Sequence, residues 1–307
     1  MGEGFPPPSR RRWIWWLAWA AATAALLLWA RTLDLRAVLA PLAAAQPGWL
    51  VAAGLANFAV LPLLTEQWSR LLPATRPVRW GVLWECVTLA VAGMNTLPFG
   101  GGHALGVGLL ATRGAAGMEG ALALMALEQF CEGVAKFGLL LLALAVAPLP
   151  PGLQSAAWML GAGLVAGAAA LFWLAHRPAA GGWRARVGRY FEVMGRPRVL
   201  VTALALGAAM KLVQLGAIWA VQRSLGVELP VGSLALVLAA VSFATMVAVA
   251  PGNLVVYEAA AFAAYRWLGV PPAEAMALAL VQHACFLVPM IAPGYALTAW
   301  RGLTKTV

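Results

Sequence analysis

The sequence predicts an all-α polytopic membrane protein, with about six full transmembrane helices and two re-entrant helical hairpins arranged as an inverted repeat. Three observations point there. Of the 307 residues, 63% are hydrophobic and only 10% charged, against about 45–50% apolar in soluble domains. The basic residues are segregated along the chain. Two long apolar segments are broken by Pro and Gly in matching ways.

The full spans read as 13–30, 49–72, 118–146, 153–176, 199–222 and 273–300. The N-terminal run MGEGFPPPSRRRWIWWLAWAAATAALLLWA has a basic start and an apolar core, but Ala30–Arg31 is no clear cleavage site. An uncleaved first helix is therefore expected. Segment 80–113 breaks at NTLPFGGG (95–102), and segment 231–268 breaks at APGN (250–253). After each break about 11–15 residues remain, roughly 16–22 Å of helix, short of the ~30 Å hydrocarbon core. Both segments read as hairpins that enter, turn and return.

With the N-terminus in the cytoplasm, fifteen of the 21 Lys and Arg fall on inside segments. Four fall outside (Arg31, Arg36, Arg223, Arg266), and Lys136 and Lys211 lie within spans. That is the positive-inside asymmetry, and both termini are then cytoplasmic. The net charge of +10 is accounted for by topology, so no nucleic-acid partner is expected. The loop 177–198, with six Arg, reads as a cytoplasmic anchor, or as a surface for anionic headgroups. Many Trp, such as Trp49, Trp80 and Trp300, sit near span ends as an interfacial belt.

The interrupted segments share a layout. Gly81 and Gly232 precede Pro98 and Pro251 by 17 and 19 residues; Glu119 and Glu274 follow those prolines by 21 and 23, and Glu128 and His283 come nine further on. Three spans separate the hairpins, and an odd number makes them enter from opposite faces. The chain thus reads as one membrane domain, 1–307. Residues 49–146 are the first repeat around hairpin 80–113, and 199–303 the second around hairpin 231–268. In transporters the binding site lies where such repeats meet.

These motifs resemble the flippase-like membrane family that includes the transmembrane domain of lysylphosphatidylglycerol synthase and the hopanoid-associated membrane proteins. Its first pattern, Asn-x-Leu-Pro followed by Arg and Gly-Glu, is matched by Asn95, Leu97, Pro98 and Gly102, with a downstream Arg113; His103 replaces the Glu, and Gly100 and Gly106 replace arginines. The next span carries Glu128, Gln129 and Glu132 where the family has Glu-Arg and then Asp. The second pattern, Pro-Gly-Gly-x-Gly-x-x-Glu, reads PGNLVVYE and keeps Pro251, Gly252 and Glu258. The resemblance covers about 50–303 and implies movement of lipids; loss of the hairpin arginines weakens any carry-over of an anionic-headgroup preference. Fused members carry a soluble aminoacyltransferase domain, and with the chain ending at Val307 that activity is not expected.

The candidate transport path comprises Asn95, Pro98, His103, Glu128, Glu132, Lys136, Lys211, Pro251, Gly252, Asn253, Glu258 and His283. A carboxylate at mid-membrane costs about 2.5–3.5 kcal/mol on insertion scales, so Glu258 needs a reason: a cap for backbone freed by the Pro-Gly break, or a holder of a cation or proton. Glu128, Glu132 and Lys136 recur at four-residue spacing on one helix face, either as a structural ion pair or as a path lining. Lys211 needs a partner, with Glu132, Glu85 and Glu258 as candidates. His103 and His283 read as proton-coupling groups or hydrogen-bonded packing residues. The small residues of GAGLVAGAAA (161–170) suggest close helix packing. Cys86, Cys131 and Cys285 read as packing residues.

No nucleophile–base pair, metal set or phosphatase motif stands out, so neither an enzyme nor a cofactor is expected. The leading expectation is a lipid flippase of the bacterial inner membrane, moving a polar-headed lipid or lipid-linked intermediate. The alternatives are a non-transporting membrane partner of an envelope lipid or glycolipid synthase, and a transporter of a soluble cation.

Overall fold

In a computed structural model of the chain, residues 35–72, 78–97, 101–113, 117–146, 151–176, 196–246 and 250–304 are described, with a few positions between 17 and 24. Expectations for 13–30, Pro98 and 177–195 lie largely or wholly outside the described residues. Every regular element among them is helical: α1 (Leu35–Ala43), α2 (Pro47–Phe58), α3 (Val60–Leu71), α4 (Trp80–Thr96), α5 (Gly101–Thr112), α6 (Gly117–Val146), α7 (Pro151–His176), α8 (Pro197–Ser224), α9 (Gly232–Ala244), α10 (Val256–Trp267) and α11 (Pro272–Thr304). Among the described residues, four stretches are long and apolar enough to cross a membrane: Pro47–Leu71, Gly117–Val146, Pro197–Ser224 and Pro272–Arg301. The protein is a multi-pass membrane protein.

The expected span 49–72 is kinked into α2 and α3 at Ala59. Pro62 supplies the cause, because it lacks the N–H that would bond to the Phe58 carbonyl and its ring crowds that oxygen. Helix α1 falls in a stretch read as a loop; Val38 packs there on Met276 and Ala277 of α11.

Helices α4 and α5 lie antiparallel. Gly102 meets Gly93 and Met94, Gly106 meets Ala90, and Glu85 near one end of α4 is bonded to Arg113 just beyond α5. The turn is tight: a Cβ on Gly102 would fall 2.0 Å from the Met94 nitrogen. Arg301 of α11 binds the same Glu85 carboxylate, so these three ends sit together, near the start of α6. At the other end of α6, Val146 packs on Gly232, the first residue of α9. Nearby in sequence, Gln46 N–H donates to the Ser224 carbonyl at 2.8 Å. The pairs α4–α5 and α9–α10 therefore start from opposite ends of α6, which at 30 residues is about 45 Å long.

Besides the small cluster at Val38, two larger apolar cores result among the described residues. One joins α4, α5 and α6 with α3, and the other joins α9, α10 and α11 with α8. Polar ties fix helix to helix where packing leaves backbone carbonyls reachable: Asn57 Nδ2 to Cys285 O at 3.0 Å, and Gln67 Nε2 to Ala203 O at 2.8 Å. The three cysteines are free thiols.

Candidate functional site

The two broken segments meet. A Cβ on Gly252 would lie 3.4 Å from the Asn95 carbonyl oxygen. The second break is a single 3₁₀ turn, Pro251–Asn253, in which Gly252 (φ 63°) and Asn253 (φ 52°) are left-handed, followed by Val255 at φ 72°. Pro251 has no N–H to offer and Gly252 no Cβ to clash, so the chain reverses here. Beside the contact is a cavity of about 250 Å³, lined by Asn95 and His103 from the first pair, Asn253 and Tyr257 from the second, Glu132 and Lys136 of α6, Lys211 and Gln214 of α8, and Gln282 and Phe286 of α11, among others.

Its charge is concentrated on one wall. Glu132 Oε1 accepts from Lys211 Nζ at 2.6 Å and lies 3.4 Å from Lys136 Nζ. Lys211 is 8% exposed and also donates to Gln214 Oε1 at 3.2 Å. One carboxylate thus serves two ammonium groups on two helices, which leaves hydrogen-bonding capacity on both lysines facing the cavity. A turn earlier, Glu128 is buried and accepts from Gln129 Nε2 at 2.7 Å; the same Gln129 nitrogen lies 3.4 Å from the His103 ring.

Behind Tyr257 and Gln282, which line the cavity, stands a second polar layer. Glu258 and His283, each 3% exposed, pair at 2.7 Å between Oε1 and Nδ1. Tyr257 stacks on the His283 ring with centroids 4.2 Å apart, and its hydroxyl accepts from Gln282 Nε2 at 3.1 Å. Gln282 Oε1 in turn accepts from Tyr265 OH at 2.7 Å. Glu258 Oε2 and His283 Nε2 are buried without a partner among the described residues.

The model of the lysylphosphatidylglycerol synthase TM region matches residues 15–294. The chain belongs to that family. No curated protein and no solved structure matches it. The family's two motif regions are thus the two segments that meet at the cavity. The second motif's glycine positions also explain a local strain: Asn253 and Val255 stand where Pro-Gly-Gly-x-Gly-x-x-Glu has glycine, and they are the non-glycine residues at positive φ among those described.

Of the residues singled out in the sequence, Asn95, His103, Glu132, Lys136, Lys211 and Asn253 line the cavity. Gly252 forms the contact between the breaks, and Pro251 opens the 3₁₀ turn. Glu258, His283 and Glu128 are buried one layer back. Of the three candidates for Lys211, Glu132 is its partner; Glu85 is taken by Arg113 and Arg301, and Glu258 by His283. Sequence reasoning passed over Tyr257, Gln282 and Gln214. Their signal was present, since each is a polar group inside an apolar helix and sits beside, or one turn from, a residue already chosen.

Proposed function

We propose that the chain is a lipid translocase whose two broken segments are re-entrant hairpins of an inverted repeat, and that the cavity between their tips passes a lipid headgroup. The observation that carries this is the Glu132–Lys136–Lys211 cluster on the wall of a cavity where the two motif regions touch. Each such charge costs about 2.5–3.5 kcal/mol at mid-membrane on insertion scales, so a cluster beside a polar space fits a path better than a brace. The family's name, which refers to a lipid, supports the same reading. The charge asymmetry of the sequence supports placement in the bacterial inner membrane with both termini cytoplasmic.

Glu258 and His283 supply a buried acid and base one layer from the cavity. In this reading they hold a proton, or answer the charge of a headgroup through Tyr257. The test is the purified protein in vesicles containing a fluorescent phospholipid, with movement between leaflets followed by quencher accessibility. The wild type moves the lipid; Glu258→Gln is inserted and folded but inactive. Gln still accepts a hydrogen bond from His283 Nδ1–H, so packing survives while the negative charge is lost. A fully active Gln variant assigns Glu258 a purely local role. Vesicles in which the wild type is inert sink the translocase reading and leave a non-transporting partner of an envelope enzyme.

A further inference from the structure

A second cavity, of about 400 Å³, lies between α6 and α7. Its apolar wall includes Phe130 and Gly133 of α6, Gly163, Leu164 and Gly167 of α7, and Met246 after α9. Glu132, Lys136 and Met246 line this cavity and the central one alike. Glu132 and Lys136 therefore stand between the central cavity, which also carries Asn95, Gln214, Asn253 and Gln282 on its lining, and a more apolar one.

The small residues of α7 do not close the seam. The two helices approach closely at Leu164 against Gly133 and at Phe137 against Gly161, where a Cβ on the glycine would meet side-chain carbon at 2.8 and 3.3 Å. At the other two glycines of the run, Gly163 and Gly167, a Cβ would meet nothing within 4 Å. The run read as closely packed does pack closely at Gly161 and Leu164, and leaves a groove at Gly163 and Gly167. One turn before Gly163 on the same side of α7, Met159 is 76% exposed.

We propose that this groove seats a hydrocarbon chain of the lipid whose headgroup enters the central cavity, a proposal that rests on the translocase reading. An amphiphile is the ligand class that matches both compartments across their shared wall. A soluble cation has no use for the apolar one. With its chain along Gly163 and Gly167, a lipid's polar end falls at Lys136 and Glu132, the entry to the central cavity.

The experiment uses the full chain in vesicles of a phospholipid bearing a photoactivatable group at the chain end, with Gly163→Leu and Gly167→Leu compared with wild type. Both substitutions enter open space, so the melting temperature holds. The chain probe is expected to label peptides from 126–136 and 161–170. Each Leu variant should lower labelling and lipid movement at least about tenfold, since displacing a pair of buried methylenes weakens binding that much. Unchanged movement in both stable variants, with label elsewhere, overturns the groove and leaves the translocase standing. Label in the groove without lipid movement by the wild type overturns the translocase and retains the lipid site. A disulfide formed between cysteines placed at Gly167 and Ala21 would show that the chain's own first segment fills the groove, which also overturns the proposal.

Discussion

Val255 holds φ 72° and ψ −47°, a conformation that a β-branched side chain strongly disfavours. The hairpin tip imposes it: Gly252 and Asn253 have already turned left-handed, and α10 must start at Val256 for Glu258 to reach His283. Such strain typically costs about 1–3 kcal/mol and clusters at functional sites. Val255→Gly should therefore stabilise the protein by about 1 kcal/mol net, once glycine's extra unfolded-state entropy is subtracted, and so raise the melting temperature. Asn253→Gly should change it little, because Asn tolerates the left-handed region. Thermal unfolding in detergent checks both, and a Val255→Gly variant less stable than wild type would show that the side chain's packing outweighs the strain. Glu132 has the opposite character, being satisfied twice. Removing it strands two partly buried ammonium groups, a loss of about 3–5 kcal/mol for a buried pair.

At the scale of elements, glycine sets how closely helices approach. On α11, a Cβ at Gly294 would stand 2.6 Å from the Thr88 carbonyl oxygen and from Ala92 Cβ of α4. Gly294→Ala must push α11 off α4, at a cost of about 1–3 kcal/mol, as for other overpacked cores. Gly108, on α5, has open space around its Cβ position. There the same change should be neutral or stabilising by up to about 1 kcal/mol, through helix propensity alone. Paired melting curves separate the two; equal effects would mean that α4 and α11 are not in close contact. The kink at Ala59 belongs to this scale too. Pro62 was plain in the sequence, yet the run 49–72 reads as one span, because hydropathy registers composition and not the one missing hydrogen bond.

For the whole molecule, the decisive feature is that two broken helical segments starting at opposite ends of α6 touch at Gly252 and Asn95. Cysteines at Asn95 and Asn253, with Cys86, Cys131 and Cys285 replaced, should crosslink with a short reagent. Failure to crosslink in an active protein would separate the tips and remove the cavity between them. The breaks, the long spans and the candidate polar residues were legible in the sequence because each is local: twenty apolar residues, a Pro-Gly pair or a charge inside them declares itself in any window, and the bilayer punishes every exception. Which exceptions pair was not legible. Lys211 finds Glu132 across 79 positions and Glu258 finds His283 across 25. Helices advance about 100° per residue, so a partner depends on how each helix is rotated about its axis. Packing alone sets that rotation: small residues close the gap at Gly102, Gly207 and Gly294, and leave it open at Gly163 and Gly167. By itself the sequence determined a multi-pass helical protein broken at two places. Only the tertiary structure decided that the breaks meet, that one carboxylate holds two lysines there, and that Glu258 answers to His283.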